Sequence, residues 1–322
     1  MKVLVTGGTG YLGRAIVQAL ASRGHDLVVF ARTATRSGLP GTLVDGDIRD
    51  ATALTRAAAG CGAISHSAAL VSIWRPRSQD FDDVNVGGLH NVLAAAAAHR
   101  IDRIVYTSSF LALPPRDAAE PLAANDYQRT KVLADRAADD AVRNGSPLIR
   151  VYPGVIYGPG LFTEGNLVGR LVADHLKGRL PGLIGPENPW SYSYVDDVAA
   201  GHCAVLQRGV VGARYTLGGE NAPQRRVFEI VRHLTGRKLP RRIPFPVATA
   251  LGLAEELRVR AFGGTPLVTR GAVDIFRHDW SLDSSIAIRE LGYSITRLEE
   301  GIRRIVASLT HDDAASGRAA TV

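Results

Sequence analysis

The chain has 322 residues, 46% hydrophobic and 21% charged, with a formal net charge of +7 carried mostly by arginine. That length and balance suit one large domain or two joined ones. The two distant cysteines, Cys61 and Cys203, exclude a disulfide framework, and no run of about 18 apolar residues offers a membrane span. No leader segment is expected, a reducing cytoplasmic setting fits, and the modest positive excess suits an anionic small molecule better than nucleic acid. In chain order, "KVLVTG" reads as a buried strand and "GRAIVQALASRG" as a helix closed by Gly24. "DLVVFA" is a second strand, "GTLVDGDIRD" a third with its exit loop, "ATALTRAAAG" a helix and "GAISHSAA" a fourth strand. "VNVGGLHNVLAAAAAH" is a long helix, "RIVYTSS" a fifth strand, "DYQRTKVLADRAADDAVRNG" a second long helix and "PLIRVYPG" a sixth strand. This alternation predicts an α/β fold: a doubly wound parallel sheet covered by helices on both faces.

After Pro153 the rhythm changes. "GVIYGPGLFTEGN" reads as a glycine-rich loop and "LVGRLVADHLKG" as a helix, while "SYVDDVAAGHCAVL" and "ARYTLGG" return to the sheet as helix and strand. The expected organisation is a dinucleotide-binding domain over 1–152, with 190–220 returning to it. A smaller, partly interleaved C-terminal substrate lobe takes 153–189 and 221–310. Residues 311–322, "HDDAASGRAATV", lack hydrophobic period and are expected to be disordered.

Three glycines follow the first strand in "VTGGTGYLG". Gly7 lets the chain turn sharply, Gly10 lets backbone approach a pyrophosphate, and Gly13 lets the helix pack on the strand. Tyr11 and Leu12 begin that helix, whose free N–H groups and positive end face the phosphates. The position of this pattern, after a strand and before a helix, points to a dinucleotide rather than a plain tight turn. An NAD site usually carries a carboxylate at the end of the second strand; here the residues are Phe30, Ala31 and Arg32. Arg32, Thr33 and Arg36 can instead surround a 2′-phosphate, so NADP(H) is favoured; solvated loop charges are the plain alternative.

"DYQRTK" places Tyr127 and Lys131 four apart on one helix face. An ammonium near a phenol favours the phenolate and brings the group toward acid–base work on an alcohol or carbonyl. "YTSSF" ends the fifth strand at the sheet edge where ligands bind, which makes Ser109 the residue to hold the substrate oxygen; Ser108 is read as a structural bond at the strand exit.

With "GDIRD", "HSAA", "NVGGLHNV", "YPGVIYGPG", "YVDDVAAGH" and "RELGY" added in the same order, the chain resembles the extended short-chain dehydrogenases/reductases over almost its whole length. The resemblance implies a Rossmann fold in which Asp47 and Ile48 border the adenine, Ala68 and Ala69 line the cofactor path, and Asn85 supports the nearby backbone. It also implies that Lys131 holds the nicotinamide ribose, that Ser108 and Pro153 lie along the cofactor, and that Val155 and Ile156 flank the nicotinamide. "YTSSFLAL", "GNLVGRLV" and "GRLPGLIG" look like plant-type farnesol dehydrogenases, with dihydroflavonol reductases nearby. Those plant enzymes are described as using NAD, so NAD(H) stays open, and a homodimer through the two long helices is a further implication. The stretch between Ser109 and Tyr127 is shorter than usual for them, which leaves the substrate mouth wider.

Leu70, Ile73, Trp74, Phe110, Leu111, Leu161, Phe162 and Tyr192 are read as an apolar substrate lining, which favours a hydrophobic ligand. Asn166 stands where nucleotide-sugar enzymes often keep an asparagine, so epimerisation or dehydration of a nucleotide-sugar is the second reading. A non-catalytic cofactor-binding scaffold is the third. His66, His202 and His278 have no metal-ligand spacing and are read as structural, and Asp196 and Asp197 as partners of a helix start. "RRIPFPVATALGLAEELRVRAFGG" mixes arginine with apolar residues and reads as a lid or dimer surface, with no stable membrane insertion.

Overall fold

The computed structural model describes the backbone of residues 1–319 and the side chains of 1–310. The chain runs β1 (Lys2–Thr6), α1 (Tyr11–Ala21), β2 (Asp26–Ala31), β3 (Thr42–Asp45), α2 (Ala51–Ala57), β4 (Ala63–His66) and the single turn α3 (Gln79–Phe81). A wider π-helical segment, Asp82–Gly87, then leads into α4 (Gly88–Ala98), so the long helix expected here has two geometries. Next come β5 (Ile104–Thr107), α5 (Asp126–Arg143), β6 (Leu148–Pro153), β7 (Val155–Tyr157), α6 (Leu167–Leu176), β8 (Leu183–Ile184) and β9 (Pro189–Tyr194). The rest is α7 (Val195–Arg208), β10 (Arg214–Leu217), β11 (Glu220–Pro223), α8 (Gln224–Thr235), β12 (Arg242–Ile243), α9 (Phe245–Phe262), α10 (Arg270–Ile275), α11 (Ser285–Leu291) and α12 (Leu298–Ala319).

Seven strands form one parallel sheet in the order β10-β6-β5-β4-β1-β2-β3. The chain winds outward from β1 through β2 and β3, then crosses to β4 and winds the other way. The sheet's topological switch point therefore lies between β1 and β4. Side chains alternate faces along the strands although both faces are buried. Val3, Val5 and Val29 meet α1, α7 and α11 through Ile16, Leu20, Val198, Cys203 and Leu291. Leu4, Val28, Ile64 and Tyr106 meet α2, α4 and α5 through Leu54, Leu89, Val92 and Ala138. Each such aliphatic side chain, fully buried, stabilises the fold by about 1.5–3 kcal/mol.

A second body holds the sheet β11-β9-β7 and the pair β12-β8, over an aromatic core of Tyr157, Trp190, Tyr192, Tyr194, Phe228 and Trp280. The stretch read as a glycine-rich loop thus opens with a strand, β7. Its Val155 lies in register with Tyr192, so pairing with a distant segment overrides local glycine content. Pro189–Tyr194 belongs to this small sheet, and the return to the main sheet begins at Val195. Ala287, Leu291 and Tyr293 pack back into the main core, so the two bodies exchange chain more than once. α12 runs on through Ala319, into the stretch expected to be disordered: a helix already docked through Ile302 and Ile305 propagates cheaply into alanine-rich sequence. The final three residues of that expectation lie outside the described residues.

A side-chain carbon on Gly13 would collide with the carbonyl of Gly7. Gly13→Ala should therefore destabilise the fold by about 1–3 kcal/mol, the range for overpacking; a denaturant midpoint equal to that of the parent chain would contradict this close approach.

Candidate active site

The glycine turn occupies the switch point. Gly7 has φ +74, and a Cβ there would lie 2.6 Å from the Ala68 Cα, so the exit loops of β1 and β4 touch backbone to backbone. Gly10 is exposed, takes the N-cap position of α1, and no side chain caps the helix or places an acid in its first turn. Most helix starts are closed by a polar side chain. This one leaves its first amides and its positive end facing outward, which fits a bound pyrophosphate. Tyr11 is buried and its hydroxyl lies against Gly158, so the same turn props the loop after β7.

Tyr127 sits in the first turn of α5, whose start is fixed reciprocally: Asn125 Oδ1 accepts from the Gln128 N–H at 2.9 Å and Gln128 Oε1 from the Ala124 N–H at 3.0 Å. One turn on, Lys131 is buried and its Nζ donates to the Thr107 carbonyl at 3.2 Å. Its Nζ lies 6.0 Å from the Tyr127 ring centroid and 5.6 Å from that of Tyr106. Ser109, just past β5, accepts from the Leu111 N–H at 3.2 Å, which leaves its own proton to donate. Asn85 accepts from the Leu70 N–H at 2.8 Å and donates to Thr130 Oγ1 at 3.0 Å, tying the β4 exit loop to α5 beside Lys131.

Burial pushes the Tyr127 phenol up to about 12, and the Ser109 hydroxyl, within hydrogen-bonding reach, opposes this. Burial pushes Lys131 down to about 8, with the Asp135 carboxylate opposing. The Lys131 ammonium turns to the Thr107 carbonyl, and burial is the largest influence on the Tyr127 phenol. At neutral pH Tyr127 therefore carries its proton and is a donor, while Lys131 is mostly charged. Ser108 has the structural role expected, donating to Asp135 Oδ1 at 3.1 Å beside the Tyr152 hydroxyl at 2.8 Å. Asp135, missed in the sequence, continues the same helix face at the next four-residue step from Lys131; that spacing was the available signal.

Around the cofactor path, Ala68 and Ala69 are half-buried, Pro153 and Val155 buried and Ile156 half-buried. Ile48 is buried under Gly88, and Asp47 forms a bidentate pair with Arg49, at 2.9 and 2.7 Å. Arg32 and Arg36 are both exposed beyond β2. The nearest carboxylate, Asp45, accepts from the Thr35 N–H and hydroxyl at 2.9 and 2.6 Å and so is already engaged.

The expected substrate lining divides. Leu70, Ile73, Trp74 and Phe162 are half-buried and Leu161 is exposed. Phe110, Leu111 and Tyr192 pack in the core of the second body, where Tyr192 also lines a small cavity with Leu167, Leu171 and Phe228. The Phe110 ring is edge-on to Trp280 at 5.3 Å, and Tyr192 to Tyr157 at 6.2 Å, because large rings fill the space under the small sheet. Asn166 is fully buried: its Oδ1 caps α6 through the Gly169 N–H at 3.1 Å, and its Nδ2 donates to the Gly158 carbonyl at 3.0 Å and the Leu161 carbonyl at 3.3 Å. Both of its Nδ2 protons are engaged by backbone carbonyls. His66 bonds Thr6 at 2.7 Å and burial lowers it to about 3; His202 bonds Thr107 and the Val198 carbonyl at 2.9 and 2.8 Å. Asp197 holds the backbone and hydroxyl of Thr296 at 2.6 and 2.9 Å rather than a ligand. The short segment before Tyr127 is tied to the stretch after α10 by the Arg116 N–H, which donates to the Asp279 carbonyl at 2.9 Å.

The sequence model of the NAD dependent epimerase/dehydratase family matches residues 3–218. Sterol demethylase protein B of Methylococcus capsulatus is 31% identical, over 91% of this chain and 93% of its own length. The 2-alkyl-3-oxoalkanoate reductase of Stenotrophomonas maltophilia is 31% identical, over 96% of this chain and 99% of its own. The crystal structure of gox2253 superposes with a TM-score of 0.81 at 29% identity, covering 96% of this chain and 98% of that one. With the glycine turn at the switch point and Tyr127, Lys131 and Ser109 drawn to one strand end, this chain belongs to the NAD-dependent epimerase/dehydratase family and is an enzyme of the extended short-chain dehydrogenase/reductase type.

Proposed function

We propose that this enzyme interconverts a hydrophobic ketone or aldehyde and its alcohol, with NADP(H) preferred over NAD(H). The observation that carries this reading is the half-buried, protonated Tyr127 beside Ser109, at the carboxyl edge of a sheet with an open dinucleotide turn. Two full-length relatives have names that refer to a sterol and to a 2-alkyl-3-oxoalkanoate, and both are lipid-like molecules. Asn166 is buried, with its amide bonded to its own loop and helix, which weighs against the nucleotide-sugar reading.

A bound nicotinamide dinucleotide supplies the hydride for reduction, or takes it in oxidation. The exposed start of α1 at Gly10 would hold the pyrophosphate, Asp47 and Ile48 would border the adenine, and Lys131 would reach the ribose. Ser109 donates its hydroxyl proton to the substrate oxygen and fixes the carbonyl. Tyr127 then gives up its phenolic proton as that oxygen becomes an alcohol, and in the reverse direction takes it back. Negative charge on the phenolate is stabilised by the Lys131 ammonium across a site with little water. Arg32 and Arg36, exposed where a ribose-binding acid would stand, are the groups for a 2′-phosphate.

Tyr127→Phe should lower kcat for carbonyl reduction by about 10²–10⁴-fold while leaving cofactor binding, read by fluorescence, near that of the parent. Turnover within a few-fold of the parent would remove Tyr127 from the chemistry. Because Lys131 is charged below about 8 and Tyr127 protonated to about 12, the reductive kcat/KM should hold at neutral pH and fall as pH rises through about 8. In Lys131→Met that limb should vanish along with most activity, and a limb that persists would assign it to another group. Arg32→Ala with Arg36→Ala should weaken NADPH by about tenfold or more and NADH hardly at all; equal losses would refute the 2′-phosphate role. Retention of tightly bound cofactor, with epimerised nucleotide-sugar and no net redox change, would establish the second reading.

A further inference from the structure

α9 turns only Ala248, Gly252 and Val259 into the protein. Val247, Leu251, Leu253 and Leu257 are 50%, 51%, 42% and 53% exposed, and Phe262 and Leu267 are 86% and 87% exposed. Helical spacing places Val247, Leu253 and Leu257 on the outer half of the helix, away from the buried residues, with Leu251 on its flank. Its two carboxylates do not make this face acidic. Glu255 accepts from the Arg258 guanidinium and from the Leu267 N–H at 2.8 Å, and Glu256 from the Arg270 N–H and guanidinium at 2.8 and 2.9 Å. These bonds fold the connection after the helix back alongside it, so that Leu267 stands beside α9. Exposed cations stand at both ends of the helix: Arg241 and Arg242 just before it and Arg260 in its last turn.

We infer that α9 and the Gly263–Thr269 connection form a docking face for the surface of a membrane that carries anionic lipids. The apolar ridge enters the headgroup–acyl boundary and the arginines at its ends meet the phosphates. Among the described residues no helix is long and apolar enough to cross a membrane, so the contact is lateral. A second copy of the chain fits less well, since pairing this face with itself sets arginine-bearing ends against each other. The face is close to the mouth: α10 packs on α9 through Gly252, and Gly271 of α10 rests on the Ala124 carbonyl, three residues before Tyr127. The inference goes beyond the reading of the reaction above and does not depend on it.

Flotation of the full chain with vesicles of phosphatidylcholine alone, or mixed with phosphatidylglycerol, tests this without substrate or cofactor. Binding to the mixed vesicles at low salt, weakened by added salt, is expected. Phe262→Ser with Leu267→Ser should reduce it by roughly tenfold or more, as loss of two large apolar side chains from the interface implies. The same variant should keep its thermal midpoint and its turnover of a water-soluble aldehyde. No binding to anionic vesicles at low salt, or undiminished binding by the double variant, would overturn the inference. So would a concentration-dependent dimer that the double variant abolishes, which would give the face to a second copy. Failure of vesicle binding leaves the reductase reading untouched, and absence of reductase activity leaves vesicle binding untouched.

Discussion

The hydrogen bond from Lys131 to the carbonyl of Thr107, 3.2 Å long and closed off from solvent, is the constraint on which the site depends. It joins the catalytic helix to the strand end that carries Ser109, so three chemical groups are placed by one contact. Holding a charge there is costly. A lysine lowered from 10.5 to about 8 costs the folded state on the order of 3 kcal/mol at neutral pH. Asp135 offsets part of that cost, and it is itself steadied by Ser108 and Tyr152. The main sheet and its two flanking cores supply the stability that makes such a position affordable. A charge held ready in a dry site is worth more to a developing phenolate than the same charge in water.

Much of this was legible in the residues. The glycine turn was readable because each glycine answers a steric demand of a strand-to-helix connection, and the structure has those contacts at Gly7 and Gly13. Tyr127 and Lys131 were readable because a four-residue spacing means one helix face. Asn85 was expected beside the neighbouring backbone, and it holds both polar groups of Leu70. The strand alternation was readable because strands and helices carry different hydrophobic periods.

What escaped was set by partners far along the chain. β7 hides among glycines because its strand character comes from pairing with β9, more than thirty residues away. Asn166 looks like a ligand group in sequence, yet three backbone partners in its own loop and helix engage its amide. Phe110 and Tyr192 are apolar or amphipathic in either role; only packing decides between pocket wall and core. Burial is the largest influence on the Tyr127 phenol, and the residues around it in sequence do not give its degree of burial.

The return of Ala287, Leu291 and Tyr293 to the main core has a consequence for how the molecule is made. The helical layer over β10 stays incomplete until nearly the whole polypeptide has left the ribosome, because its last apolar members are encoded close to the end. The N-terminal two-thirds contains the strands of the large sheet together with α1 and α7, which cover most of that sheet face. Final packing of the main core therefore waits for the C-terminal segment.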